Sequence, residues 1–320
     1  MSFSTPMLKL ATRCAALLPR DATVVELGNQ TLSAPGDVIK AAAGFLGKTG
    51  RQIDAAAFNR IAGLVGPEKK DKVGPLYRAM GFAEYVAIDI NTLYGSLVMD
   101  LNEDIAKTYG YLRTFDLVTN FGTGEHVFNQ STVFRNMHQL AKPGGLLAFN
   151  LPFFNNINHG FFNFSPGLFL DLAHANDYEL VHLALTCGDS EVVVRPLPAT
   201  DPRVDAWRWG ELPLMLDLTA FSAPARAARP KPMHLRWRHA LGRLKRRAIR
   251  MPEPEIKPRK LARLQLGEAV AALSAIADDV QVAGILRKTR DNPFAIPMQG
   301  KYVAAIGEDA LRRQYSRQQA

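Results

Sequence analysis

The chain has 320 residues, 47% hydrophobic and 22% charged, which excludes a disordered or fibrous protein and allows one large α/β domain with insertions or two domains. Two cysteines, Cys14 and Cys187, exclude a disulfide framework and a cysteine-based zinc site, and predict a reducing compartment. The net charge of +9 is concentrated in one place: residues 226–263 hold fourteen Lys and Arg against only Glu253 and Glu255, so the remaining chain is mildly acidic.

Lys9, Arg13 and Arg20 interrupt every apolar run near the start, so no signal peptide is expected there and a cytoplasmic location follows. Thr5-Pro6 opens a helix with Leu8, Ala11, Ala15 and Leu18 at helical spacing, ended by Pro19. The β-branched run TVVEL at 23–27 predicts a first strand, stopping at Gly28-Asn29-Gln30. Residues 31–83 form an unusually long crossover, rich in Gly and Pro, with helical pieces expected over 38–46 and 53–64 and a further turn near 76–80. YVAIDI at 85–90 is a second strand ending in Asp89 and Asn91, and 96–99 a short third one followed by Asp100 and Asn102. FDLVT at 115–119 is the fourth, opening into a Gly/Asn loop with Glu125 and His126.

The next helix carries an apolar stripe of Val133, Phe134, Met137, Leu140 and Ala141, with Lys142 in its last turn where a cation suits the dipole. A fifth strand at 146–151 leads to an Asn- and Phe-rich loop around His159. Ser165-Pro166 caps another helix, and 178–186 is a sixth strand. No full charge lies between Lys142 and Asp171, yet the amides of Asn150, Asn155, Asn156, Asn158 and Asn163 with the breakers Pro152 and Pro166 exclude a membrane span. Prolines punctuate 189–265, and regularity returns with a helix over 266–277 and a strand over 280–288, before a polar tail.

Four successive strands therefore finish in a carboxylate or amide: Glu26, Asp89, Asp100 and Asn120. In a parallel sheet these ends lie side by side, and an acid after the second strand is the usual partner of a ribose diol. Each alone is an ordinary turn residue; all four in register point to a ligand with vicinal hydroxyls and an exocyclic amine, namely adenosine.

The order VVELGNQ, YVAIDIN, VMDLN, FDLVTNFGTGEHV, GGLLAFNLPF, HGFFNFSP resembles the class I S-adenosylmethionine-dependent methyltransferases, in particular a branch associated with bacterial surface polysaccharides. The resemblance covers residues 22–186 and resumes at 265–303. It implies a Rossmann-like, doubly wound, mostly parallel seven-stranded sheet with an antiparallel last strand and a basic helical insertion. The implied organisation is a core at 1–188 with an insertion near 31–83, a basic proline-rich insertion at 189–265, a return to the core at 266–303 and a tail at 304–320. The resemblance further implies S-adenosylmethionine as cofactor, held by Glu26, Gly28, Asn29, Asp89, Ile90, Asp100, Leu101, Asn120, Phe121 and Gly122. Glu125, His126 and His159 then stand as the catalytic candidates, acting on a small-molecule or glycan-type hydroxyl or amine. One departure stands out: where that family has further glycines after Gly28, this chain has Asn29, Gln30 and Thr31. A non-catalytic scaffold on the same fold is the alternative. A dinucleotide oxidoreductase is disfavoured, because no G-x-G-x-x-G follows the first strand. No metal is expected.

Within the basic segment, Trp237, Leu241, Leu244 and Ala248 share one helical face while Arg236, Arg238, Arg243, Lys245, Arg246 and Arg250 populate the rest. Such a helix suits an anionic membrane surface or lipid-linked glycan, making the protein peripheral to the inner face of the membrane, ahead of nucleic acid, for which interleaved stacking aromatics are missing. The competing expectation is a solvated arm.

Overall fold

The computed structural model describes residues 2–154, 156, 159–188, 190–196, 214–217 and 279–299. The basic segment 226–263, the helix expected at 266–277 and the tail from 304 lie outside the described residues.

In chain order the elements are β1 (Ser2–Phe3), α1 (Thr5–Leu17), β2 (Thr23–Leu27), β3 (Thr31–Leu32), α2 (Gly36–Lys48), α3 (Ala55–Gly63), α4 (Val73–Ala79), β4 (Glu84–Asp89) and β5 (Leu97–Val98). They continue with α5 (Ile105–Tyr109), β6 (Phe115–Phe121), α6 (Gln130–Leu140), β7 (Ala141–Phe154), α7 (Pro166–Ala175), β8 (Tyr178–Cys187), β9 (Ser190–Pro196), β10 (Leu214–Asp217) and β11 (Val280–Lys288). One nine-stranded sheet runs β10-β9-β8-β11-β7-β6-β2-β4-β5, and β1 and β3 form a separate parallel pair. The strands β5, β4, β2, β6 and β7 pair in parallel, whereas β11 is antiparallel to both β7 and β8. The protein is thus a Rossmann-like, doubly wound α/β fold with an antiparallel last strand, as the resemblance implies, and that strand lies between the fifth and sixth core strands. The antiparallel strands β9 and β10 enlarge the expected seven strands to nine. β9 turns back from β8 within a few residues and prolongs the sheet past the point where the proline-rich sequence loses its period.

The sheet alternation divides the core. Val25, Leu27, Val118, Leu147, Phe149 and Leu151 face α6 and α7; Val24, Leu117, Leu146 and Ala148 face α1, α2 and α4. Period-2 side-chain alternation sends neighbouring residues to opposite faces, so a parallel strand covered by helices on both sides reads as a continuous apolar run. The helix termini are chemically explicable. Asp54 and Asn129 accept hydrogen bonds from Ala57 N and Thr132 N, capping α3 and α6. At α1 the N-cap is Ser4 rather than Thr5, with the proline in the first turn. Lys142 sits in β7 rather than in the preceding helix, and its ammonium pairs with Asp116 at 2.8 Å. Asp116 also accepts from Thr23 N and Oγ1 at 2.8 and 2.9 Å, so one carboxylate ties the lower ends of β2, β6 and β7 together.

The register aligns the upper ends of the strands. Leu27 stands opposite Ile88 of β4 and Asn120 of β6, and Asn120 stands opposite Phe149 of β7. Chain order reverses between β2 and β6, which makes the crevice above these residues the topological switch point, where open α/β sheets bind ligands. Among the described residues no helix is long and apolar enough to cross a membrane.

Candidate functional site

The first turn of the crevice is built on Gly28. Its φ is +79°, and a Cβ there would lie 2.1 Å from Thr123 Oγ1, so both backbone conformation and space demand glycine. Gly28 N donates to Ile88 O at 2.7 Å. Asn29 N donates to Asp89 Oδ2 at 2.8 Å. The Asn29 amide lies 2.7 Å from Asn91 Oδ1, 2.9 Å from Ser96 Oγ and 3.1 Å from Leu93 O. Asp89 Oδ1 accepts from Asn91 Nδ2 at 2.8 Å. Asn29, standing where a glycine is expected, thus fastens the turn to the loop after β4, and Gln30, also buried, donates to Phe121 O of β6 at 2.9 Å.

Glu26 is fully buried, and Tyr85 O–H donates to its Oε2 at 2.7 Å. Desolvation pushes its carboxyl up to about 8 against the pull of Tyr85 and Thr119, so it is mostly protonated at neutral pH. Glu26 Oε1 and Gln30 Oε1 are buried acceptors without a hydrogen-bond partner.

The other predicted positions fall in different surroundings. Ile90 is exposed, while Leu101 and Phe121 are buried in the core. Asp100 is exposed and its Oδ1 accepts from Asn102 N and Nδ2 at 2.8 and 2.9 Å. Asn120 is buried and accepts from Gly124 N at 2.8 Å, and Gly122 takes a φ of +75°. Together these two shape the turn after β6. Gly28, Asn29 and Asp89 come into direct contact; Asp100, two residues beyond β5, keeps its carboxylate on its own turn.

The second half of the crevice stands above β6 and β7. Glu125 is 1% exposed, in a 3-10 turn over Gly124–His126. Its backbone oxygen accepts from Phe161 N at 2.8 Å and Phe162 N at 3.3 Å, which pins the loop after β7 onto the loop after β6. Gly160 permits that approach, since a Cβ there would lie 2.8 Å from Glu125 O. His159 Nε2 lies 3.4 Å and His126 Nε2 3.9 Å from Glu125 Oε1, with the two rings 5.0 Å apart. Burial raises the Glu125 carboxyl above its usual range despite its own backbone and His159. Burial and the neighbouring His159 lower His126, favouring a neutral imidazole. Phe128 and Phe161, 72% and 68% exposed, meet edge-to-face at 5.9 Å beside this group.

Several contributors were not singled out from sequence. Thr123 packs into the space left by Gly28, Asn91 shares Asp89, and Tyr85 serves Glu26. The signal for Tyr85 was its register two residues from the partner of Glu26 across β2–β4, which puts both side chains on one face; Thr123 carried none. His138 lies apart from this group and ties α6 to β8 and to the segment after β11. Its Nε2 is 2.6 Å from Asn292 O, which only accepts, so Nδ1 must accept from Tyr178 O–H at 2.7 Å.

No protein-family model matches the chain, and no curated protein matches it. Solved structures do. An O-methyltransferase from a trans-AT polyketide synthase of Brevibacillus brevis, in complex with S-adenosylhomocysteine, is 8% identical over 96% of this chain and 84% of its own, with a TM-score of 0.39. Phosphoethanolamine N-methyltransferase 2 of Haemonchus contortus is 10% identical over 89% of this chain and 52% of its own, with a TM-score of 0.37. A S-adenosylmethionine-dependent methyltransferase from Geobacter sulfurreducens is 13% identical over 88% and 90%, with a TM-score of 0.34. The chain spans about half the length of the Haemonchus structure. At these identities and scores the likeness concerns outline alone.

Proposed function

We propose that the protein is a class I methyltransferase that uses S-adenosylmethionine and acts on a small, hydroxyl- or amine-bearing acceptor, with a glycan-type acceptor the preferred class. The observation that carries this reading is the switch-point crevice itself: Gly28, Asp89 and the loop from Asn120 to His126 converge there, on a mostly parallel sheet whose last strand is antiparallel.

The residues present fit the cofactor in two respects. Gln30 Oε1 and Glu26 Oε1 are buried and have no partner; an ammonium group would satisfy the first and, on displacing the proton that burial keeps on Glu26, the second as well. Asp89, whose oxygens each already accept from Asn29 or Asn91, retains lone pairs, because a carboxylate offers about four acceptor sites. The cofactor would supply an activated methyl group on sulfur. This chain's part is to align acceptor and donor and to take a proton. His126 or His159 accepts the proton of the attacking hydroxyl at Nε2, and the buried Glu125 carboxylate stabilises the imidazolium that results. A positioned base contributes about 10²–10⁴ in rate. Exposed Phe128 and Phe161 offer the acceptor an apolar platform.

One observation favours the second reading, a scaffold without catalysis. The side chains of Asn29 and Gln30 bond inward across the place where backbone would approach a cofactor. Calorimetric titration with S-adenosylmethionine and S-adenosylhomocysteine separates the two. The methyltransferase reading expects saturable heat with wild type and at least tenfold weaker binding in Asp89→Ala. No heat at millimolar cofactor leaves the scaffold. Recruitment to anionic membranes by the basic segment around Arg236 and Arg250 belongs to the same proposal, and flotation with anionic against neutral liposomes decides it; equal partitioning, or none, removes it.

A further inference from the structure

We propose that Glu125, His126 and His159 form a binding site for one borderline divalent cation, Zn²⁺ or a first-row ion such as Co²⁺ or Fe²⁺. The three donor atoms converge from two loops that are far apart in sequence, and all lie within 4.8 Å of one another. Two imidazoles and one carboxylate are the donor set of open zinc and non-haem iron sites, with imidazole selecting such ions over Mg²⁺ or Ca²⁺.

The group is poorly explained as a hydrogen-bonded cluster. Both imidazole Nε2 atoms aim at the same oxygen, Glu125 Oε1, from 3.4 and 3.9 Å, beyond good hydrogen-bond length. The second oxygen, Oε2, is buried and has no partner. A carboxylate 1% exposed and left in that state is costly. A cation among the three donors removes both anomalies at once. Donors bound at ~2.0–2.2 Å stand about 3.4 Å apart in a tetrahedral arrangement. The Glu125–His159 separation already matches this. The other two close by rotation of imidazoles whose side chains are 37% and 51% exposed.

The frame around them is built rather than accidental. Glu125 is held by its own backbone oxygen, which accepts from Phe161 and Phe162 N, and Gly160 lets the His159 loop approach. Three protein ligands leave coordination positions open toward the exposed side, beside Phe128 and Phe161. That is the pattern of a catalytic rather than a structural site, and an acceptor oxygen is the natural occupant; with the cation bound, both Nε2 lone pairs are engaged, so lowering of the acceptor hydroxyl's pKa by the ion replaces the histidine base of the metal-free reading. Metal binding stands whether or not the methyl-transfer reading holds, since it needs no cofactor.

The test uses the full chain stripped with chelator and titrated with Zn²⁺ against a chromophoric competitor, and with Co²⁺ by visible absorption. One equivalent is expected at micromolar affinity or better. Glu125→Gln and His159→Ala should each weaken it at least tenfold, while far-ultraviolet circular dichroism of the metal-stripped variants stays unchanged. Excess Mg²⁺ or Ca²⁺ should not displace the ion. Should Glu125→Gln lose its fold, His126→Ala and His159→Ala, both at exposed positions, carry the test alone. Stoichiometric binding that survives these variants would place the ion elsewhere in the chain and overturn the proposal, as would the absence of binding by wild type. Heat with S-adenosylmethionine but none with Zn²⁺ would reject the metal site and leave the methyltransferase standing; the opposite result would do the reverse.

Discussion

The two halves of the crevice are finished to different degrees. Around Gly28 the polypeptide has supplied partners for every group of the turn except Glu26 Oε1 and Gln30 Oε1: the Asn29 amide has three acceptors, Asp89 accepts on both oxygens, and the Gln30 amide nitrogen reaches Phe121 O. Around Glu125 it has not: two half-exposed imidazoles and a buried carboxylate face one another at lengths too great for good hydrogen bonds. Buried polar groups are normally satisfied, so a half that satisfies itself is closed until something competes for its bonds. A half that leaves atoms wanting is open to a ligand. On this contrast, the Gly28 side must be loosened for binding, whereas the Glu125 side is already formed.

The largest expected effect probes the closed half through Glu26. Its folded pKa of about 8 lies above the ordinary value of 4.5, so between those limits the native state holds more proton than the unfolded chain. Stability then falls as pH rises from about 4.5 to about 8 and is flat outside that window. The slope is about 1.4 kcal/mol per pH unit and the whole drop on the order of 5 kcal/mol. His138 acts oppositely. Burial lowers it to about 4, so its contribution is lost as pH falls from 6.5 through that value. Urea titrations of wild type and Glu26→Gln across pH 5–9 isolate the Glu26 part by difference. Parallel curves would mean that this carboxyl is ionised in the fold and that the half is less closed than described.

Next in size is Gly28→Ala. A φ of +79° and a methyl group 2.1 Å from Thr123 Oγ1 together should cost on the order of 3 kcal/mol in chemical denaturation. Adding Thr123→Gly to that background should recover the packing part but not the backbone part. Recovery of the whole loss would show that the turn itself tolerates a side chain.

Much of this architecture was legible in the sequence because it rests on local runs. TVVEL, YVAIDI and FDLVT are each apolar on both faces, and β2, β4 and β6 appear where those runs stand, within a residue or two. The β9–β10 extension was not legible, because prolines mask its period and its pairing depends on the sheet edge it joins. Lys142 was misplaced because a cation after an apolar helix satisfies the dipole rule as readily as it satisfies Asp116. At the site, the strand-end positions of Asp89 and Asn120 followed from the ends of their apolar runs. The inward turn of Asn29 and Gln30 did not follow, since an amide's partners are chosen in three dimensions. Nor did the 3.4 Å approach of His159 to Glu125, which depends on two backbone hydrogen bonds closing a loop.

The smallest effect is the most direct test of the contrast. Asn29→Ala removes an amide with three nearby acceptors and leaves the Asn29 N bond to Asp89 intact. Lost hydrogen bonds of this kind cost about 1 kcal/mol each net, and Nδ2 carries only two protons, so the protein should lose about 1–2 kcal/mol of stability. If the closed turn competes with the cofactor, the same loss lowers the cost of opening. S-adenosylmethionine should then bind about fivefold more tightly to this variant, the factor that corresponds to ~1 kcal/mol. Asp89→Ala moves affinity in the opposite direction, so calorimetry on the pair distinguishes a latch from a ligand contact. Weaker binding in Asn29→Ala would make its amide part of the cofactor's own cradle, and the Gly28 half would then be as open to a ligand as the Glu125 half.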